Sequence, residues 1–276
     1  MSYLETMILG LVQGVAEFLP ISSSGHLTMF QYFFGMEEPD NLLNVLLHFA
    51  TLVAVCVYYW RDVTGMVYEF FLSLRALFCR KYRTQPVPEA RRLVWLVVLG
   101  TLPLFLVLPI KDHVERIGGS PAVVSCVLLV TGCILFISDR MAKGKKTAAT
   151  ARKRDVLLVG VAQGIATVPG LSRSGTTIAA GMALGFERSF AVRYSFLMSL
   201  PAVLGATVLE VKDVVEMGGV DAGLMPKYLL GMAVAGIVGY FSIRLVNLLA
   251  AKGKFGAFAY YCWGAGALFL ILSLVL

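Results

Sequence analysis

The chain has 276 residues, of which 58% are hydrophobic and only 15% charged, with a formal net charge of +7 and a mean hydropathy of +0.79. Soluble domains hold about 45–50% apolar and about 25% charged residues, so the composition excludes an ordinary soluble enzyme and points to an integral membrane protein. The basic residues cluster beside hydrophobic runs, so the positive charge does not imply nucleic acid, and none is expected as a partner.

In chain order, the N-terminus lacks a basic leader, and Glu5, Gln13 and Glu17 interrupt the apolar stretch behind it, so no cleavable signal peptide is expected. Six runs then have the length to cross roughly 30 Å of hydrocarbon at about 1.5 Å per residue. They are Leu43–Trp60, Leu93–Ile110, Pro121–Ile137, Phe190–Leu209, Leu229–Ala250 and Gly256–Leu276. These runs are continuous and do not alternate apolar with polar residues, which excludes a β-barrel. Residues 61–83 mix charges with aromatics and read as an interfacial amphipathic helix. The segment Ala142–Arg152, rich in Gly, Thr, Ala and Lys, reads as a flexible linker. Cysteines at 56, 79, 126, 133 and 262 show no CxxC spacing. They support neither a disulfide framework nor a zinc site, and Cys126 and Cys133 read as small packing residues.

Basic loops around 75–92 and 139–155 belong in the cytoplasm by the positive-inside rule, and the more acidic loops around 35–41 and 212–221 belong outside. Threading the six spans through these loops leaves two segments, about 3–34 and 155–188, each of which must enter and leave on one side. The expected fold is therefore an all-α integral membrane protein with an inverted-topology repeat, each half one re-entrant helix-loop-helix plus three transmembrane helices. It is one polytopic domain, 1–276, with repeat 1 at about 1–140, a basic cytoplasmic linker at about 141–154 and repeat 2 at about 155–276.

The two leftover segments carry the same polar phrase. "QGVAEFLPISSSGH" starts at Gln13 and "QGIATVPGLSRSGT" at Gln163, and they align without a gap. Three polar positions differ: Glu17 against Thr167, Ser23 against Arg173, and His26 against Thr176. Pro20, Pro169, Gly170, Gly25 and Gly175 interrupt helices or permit tight turns. Ser22–Ser24 and Ser172–Ser174 can cap the returning helices, whose free N–H groups and dipole favour an anion, phosphate above all. Irregular backbone at membrane depth must lie inside protein or beside water, so the breaks should share a central cavity.

Within that cavity each residue type suggests a role. Glu17, on one helix face with Gln13, could hold a divalent cation, Mg2+ or Ca2+, through oxygen. Arg173 offers a planar fork to phosphate oxygens. His26 is a proton carrier near neutral pH, and Ser23 a nucleophile or a direct phosphate contact. Binding positions extend to Gln13, Ser22, Ser24, Gly25, Ser172, Ser174, Gly175, Thr176 and Thr177. His48 reads either as a cavity residue or as a packed histidine, and His113 as a solvated loop residue. Arg61 and Arg193 read as snorkelling or interfacial, and Arg244 could pair within the bundle.

Gln13…Glu17, "PISSSGH" (20–26) and "PGLSRSGTT" (169–177) resemble the signatures of the undecaprenyl-pyrophosphate phosphatase family, the bacitracin-resistance proteins. The resemblance covers the whole chain, repeat and span count included. It implies hydrolysis of a lipid pyrophosphate to undecaprenyl phosphate, the carrier for cell-wall precursors, at a site open to the outer, periplasmic face of the bacterial inner membrane. By position it implies roles for Glu17, Ser23, His26, Arg173, Ser172 and Thr177. Gln13 stands where many relatives have Glu, which bears on the metal more than on the reaction.

The expected partners are the polyprenyl pyrophosphate substrate and membrane lipid, with a homodimer left open. Either Ser23 attacks with His26 assisting, or His26 and Glu17 direct a water. The rival reading is a polyprenyl-phosphate transporter or flippase, because inverted repeats with broken helices are above all a transporter architecture.

Overall fold

The computed structural model describes residues 1–36, 40–78, 87–110, 114, 120–141, 144–216 and 223–275. Arg80, Lys81, Arg83, Cys79, His113, Ala142 and Asp221, used in the sequence reading, lie outside the described residues. The described chain is helical, and its β-pairing is one isolated bridge between Lys146 and Phe186.

Helix α1 (Tyr3–Ala16) opens on a capping box in which Ser2 and Glu5 satisfy each other's amides. After the break at Pro20 comes α2 (Ser23–Phe33). Asp40 caps α3 (Asn41–Tyr58), and α4 (Trp60–Phe78) leaves it at 90°. Helix α5 (Glu89–Thr101) is followed by two 3-10 turns, Leu102–Leu106 and Leu108–Ile110. Then come α6 (Pro121–Asp139), α7 (Lys153–Ile165), α8 (Arg173–Ala183), α9 (Arg188–Glu216), α10 (Met225–Ala251) and α11 (Ala257–Val275). Among the described residues, α6, Arg188–Leu209 of α9, α10 and α11 are long and apolar enough to cross a membrane. The bent pair α3–α4 makes a fifth candidate.

Several expectations need correction. Leu93–Ile110 is not one helical span: α-helix ends at Thr101, because Pro103 and Pro109 lack the N–H that continuation needs. The expected outer loop at Lys212 is still helix, which runs on to Glu216. Part of the linker is docked rather than free. Ala148 and Ala151 are buried, and Arg92 donates to both of their carbonyls, at 2.6 and 2.9 Å. Cys126 and Cys133 are exposed on the bundle's outside and fill no core space. Arg193 bridges α4 and α5, donating to Asp62 at 2.6 and 2.9 Å and to Glu89 at 2.8 Å, contacts the sequence reading did not include.

Helix α1 packs on α10, α10 on α3, and α11 on α6. The α1–α10 approach depends on missing side chains, since a Cβ on Gly10 would stand 2.5 Å from the Gly231 carbonyl oxygen. Phe18, Phe196, Phe186 and Tyr194 lie in a core shared by both halves of the chain.

The linker is latched where Asp155 accepts from Lys146 Nζ at 2.8 Å and from the Arg152 amide at 3.0 Å. Burial pushes the Asp155 carboxyl up, but these donors and the Lys146 charge more than offset it, leaving it below the ordinary aspartate range. A carboxyl lowered by folding stabilises above its unfolded pKa of about 3.9, and that stability is lost as pH falls through the lowered folded value. Asp155→Asn should therefore lower the Tm at pH 7 by about 2–4 °C, the shift expected of roughly 1 kcal/mol in a chain of this size. In thermal unfolding the gap should close toward pH 3; an equal gap at both pH values would contradict the latch.

Candidate active site

Both polar phrases fold as helix, break and second helix, and the breaks touch. Ser22 caps α2 by accepting from the Gly25 amide at 3.2 Å, and Ser172 caps α8 by accepting from the Gly175 amide at 3.0 Å. The Gly170 amide reaches Ser24 Oγ at 3.5 Å, and a Cβ on Gly175 would sit 3.1 Å from Pro20. Gly170, at φ 93°, has backbone that favours glycine, and a Cβ there would meet the Val124 carbonyl at 2.5 Å. Ser22 adopts φ 70° with a side chain present, a conformation that costs on the order of 1–3 kcal/mol and gathers at functional sites. Thr131 of α6 braces the second break: its hydroxyl donates to the Gly170 carbonyl at 3.1 Å and accepts from the Ser172 amide at 3.2 Å.

Between the breaks lies a cavity of about 430 Å3. Glu17, Ser23, Ser24 and His48 line it from the first half, and Gln163, Thr167, Ser172, Arg173 and Ser174 from the second. Ala202, Val203 and Ala206 of α9 close one side, just past Pro201 within that helix.

Glu17 organises the polar wall and is only 7% exposed. Its Oε1 accepts from the Arg173 guanidinium. Its Oε2 accepts from Ser23 Oγ at 2.7 Å and from Gln13 Nε2 at 3.0 Å, and faces His48 Nε2 at 3.4 Å. A carboxylate so far from water requires a cation and several donors, and here it has both. His48 Nδ1 donates to the Asn44 carbonyl at 2.7 Å, which leaves Nε2 as the nitrogen presented to the cavity.

The structure gathers most of the expected residues but not all. Glu17, Ser23, Ser24, Ser172, Arg173 and Ser174 line the cavity, and Gln13 stands behind Glu17. His26 faces elsewhere: Nδ1 donates to the Ser22 carbonyl at 2.8 Å, and Nε2 lies 2.9 Å from Tyr261 Oη, with the rings stacked. Its position supports the Ser22 turn and the α2–α11 contact, while the Ser23 hydroxyl is directed at Glu17. Thr177 exchanges a 2.7 Å hydrogen bond with Ser195 behind α8, and Ser22, Gly25, Gly175 and Thr176 are buried in the breaks without lining the cavity. Sequence reasoning left His48 undecided and missed Thr131 and Gln163. The available signal was a polar side chain inside an apolar run.

A divalent cation needs oxygen ligands. Among the described residues no group of three or more His, Cys, Asp or Glu side chains converges on one point. The oxygens that fit are the Glu17 carboxylate and Gln13 Oε1, a buried acceptor with no partner among the described residues.

Comparison with known proteins adds independent findings. The family model described as "Bacitracin resistance protein BacA" matches residues 6–268. A protein of Methanosphaera stadtmanae named undecaprenyl-diphosphatase is 38% identical over 99% of this chain and 99% of its own length. Proteins with the same name from Halothermothrix orenii and Desulforapulum autotrophicum are 36% and 37% identical, over 99% and 100% of both chains.

Thr131→Val keeps the shape of the side chain and removes the hydroxyl that braces the second break. It should destabilise the protein by about 1–3 kcal/mol, since a buried amide and a buried carbonyl lose their partner. Thermal unfolding reads this directly, and an unchanged Tm would show that the break holds itself.

Proposed function

The chain belongs to the family of the bacitracin resistance protein BacA, and from that premise we propose how its cavity works. The protein is a multi-pass membrane undecaprenyl-diphosphatase, which hydrolyses a polyprenyl diphosphate lipid to the lipid monophosphate and inorganic phosphate. Its product is the lipid carrier of cell-wall precursors.

The observation that carries our mechanism is that Ser23, Glu17 and Arg173 meet on one cavity wall. The incoming diphosphate draws the Arg173 fork from Glu17 onto its own oxygens, where planar, charge-assisted pairing is strong. Ser23 Oγ gives its proton to Glu17 Oε2 and attacks the terminal phosphorus. The bond from that phosphorus to the bridging oxygen breaks, and its electron pair leaves with the lipid monophosphate. Water then attacks the phosphoserine, Glu17 returns its proton to the departing Ser23 Oγ, and inorganic phosphate is released as the water's proton passes to solvent. The α2 and α8 N-terminal amides, with Ser24, Ser172 and Ser174, cradle the charge. His26 acts through its hold on the Ser22 turn, and His48 Nε2 is a second proton acceptor beside Glu17.

Glu17 and Gln13 would hold a divalent cation, Mg2+ or Ca2+, and such an ion would supply charge neutralisation for the diphosphate. An apolar groove of about 610 Å3 between α3 and α10, lined by residues such as Val53, Val57 and Ile237, offers a bed for the polyprenyl tail. Phe49, which lines it, is the chain neighbour of cavity residue His48.

The finer topology is part of the same proposal: two inverted halves, each a re-entrant pair with three spans, joined by a basic cytoplasmic linker. Loop charge supports this arrangement, with the cavity opening to the outer face of the inner membrane. A homodimer belongs to the reading only if the purified particle has twice the protomer mass.

Purified protein in detergent, where transport has no meaning, should release stoichiometric phosphate from a polyprenyl diphosphate, and chelation of divalent cations should suppress it. Lipid binding without release would favour a transporter. Arg173→Ala should slow turnover by about 10²–10³-fold, and Arg173→Lys should recover little of it, because an ammonium lacks the fork. Arg173→Lys turning over at the parent rate would remove the fork from the mechanism.

A further inference from the structure

Gln163 and Gln13 hold matching places in the two polar phrases, yet their surroundings differ. Gln13 directs Nε2 at Glu17 four residues on. The residue four beyond Gln163 is Thr167, whose hydroxyl is turned to the Gly164 carbonyl at 2.8 Å. Among the described residues, Gln163 makes no counterpart of the Gln13–Glu17 bond. Its side chain is 1% exposed, and neither Nε2 nor Oε1 has a hydrogen-bond partner among the described residues. Leaving both ends of a buried carboxamide unpaired is unfavourable, and such groups are rare in folded proteins.

Gln163 lines the same cavity as Arg173, Ser172 and Ser174, with its amide buried at the wall. A carboxamide carries a donor and an acceptor on one rigid plane. A phosphoryl oxygen can only accept, and a water can donate, so the pair fits a water held against a phosphoryl group. Glutamine has this water-orienting task in other phosphoryl-transfer sites.

We propose that Gln163 contacts the substrate in this reaction. Its Nε2–H donates to an oxygen of the phosphoryl group bound at Ser23, and its Oε1 accepts from the water that hydrolyses that group. Gln163 itself forms and breaks no covalent bond. The proposal rests on the diphosphatase reading of the cavity.

The test compares parent, Gln163→Leu and Gln163→Met in detergent, measuring phosphate release from a polyprenyl diphosphate, kcat and KM separately, and thermal unfolding. Both changes remove an unpaired buried amide without a large loss of volume, so the Tm should hold or rise. At the same time kcat should fall by about 10²-fold, as for loss of one positioned donor, with KM changed by less than the fall in kcat. Because phosphoserine survives acid, labelled phosphate from the substrate should also accumulate on acid-quenched Gln163→Leu protein. A kcat near the parent value in either folded variant would overturn the proposal, as would a rate loss that only tracks a falling Tm. A folded parent that releases no phosphate would instead refute the diphosphatase reading, and this proposal with it. If Gln163→Leu does not fold, the unbranched Gln163→Met decides.

Discussion

A carboxylate carried into an apolar helical bundle is tolerated only if a cation comes with it, and here the two arrive from opposite halves of the chain. Glu17 lies just past α1 and Arg173 at the start of α8, and among the described residues neither pairs with another side chain of fixed opposite charge. Removing Arg173 would leave the buried Glu17 carboxylate without its fixed positive charge, a loss on the order of 3–5 kcal/mol in comparable buried pairs. The rest of the site follows from bringing them together. Both helices must break at the same depth, the breaks must touch, and the backbone freed by Pro20, Pro169 and Gly170 must find partners in protein rather than lipid.

Those partners come from hydroxyls. Ser22 and Ser172 cap α2 and α8, Ser24 reaches the opposite break, and Thr131 satisfies both an amide and a carbonyl. The scaffold thereby turns two helix N-termini toward one cavity without leaving their turns unsupported. The same economy explains His26, whose two nitrogens are both occupied in holding the Ser22 turn against α11. Strain at Ser22 is tolerated because its side chain, its carbonyl and the His26 ring all fix it. The pairing that results is asymmetric in function: one half supplies hydroxyl and carboxylate, the other the guanidinium.

Much of this was legible in the sequence, because polar letters in an apolar chain are expensive and stand out. The repeated phrase marked both breaks, the differing letters marked Glu17, Ser23 and Arg173, and the loop charges suggested the order of spans. What escaped were contacts between residues far apart in the chain. Tyr261, which occupies His26, is 235 residues away, and no periodicity announces it. His48 lies on a mostly apolar helix, so its approach to Glu17 could not be separated from ordinary packing. Leu93–Ile110 misled for another reason: hydropathy measures apolarity and ignores the missing amides of Pro103 and Pro109. The linker misled by composition, since Ala148 and Ala151 look mobile on paper but are buried under Arg92.

The account stands on Glu17 and Arg173 working as one unit across the two breaks. A double-mutant cycle on phosphate release, with Glu17→Gln, Arg173→Gln and the pair together in detergent, tests that unit directly. Residues that act as a unit lose their contribution together, so the double variant should be about as slow as the slower single one. If the two losses instead multiply, the residues act independently, and the shared site proposed for the two halves is wrong.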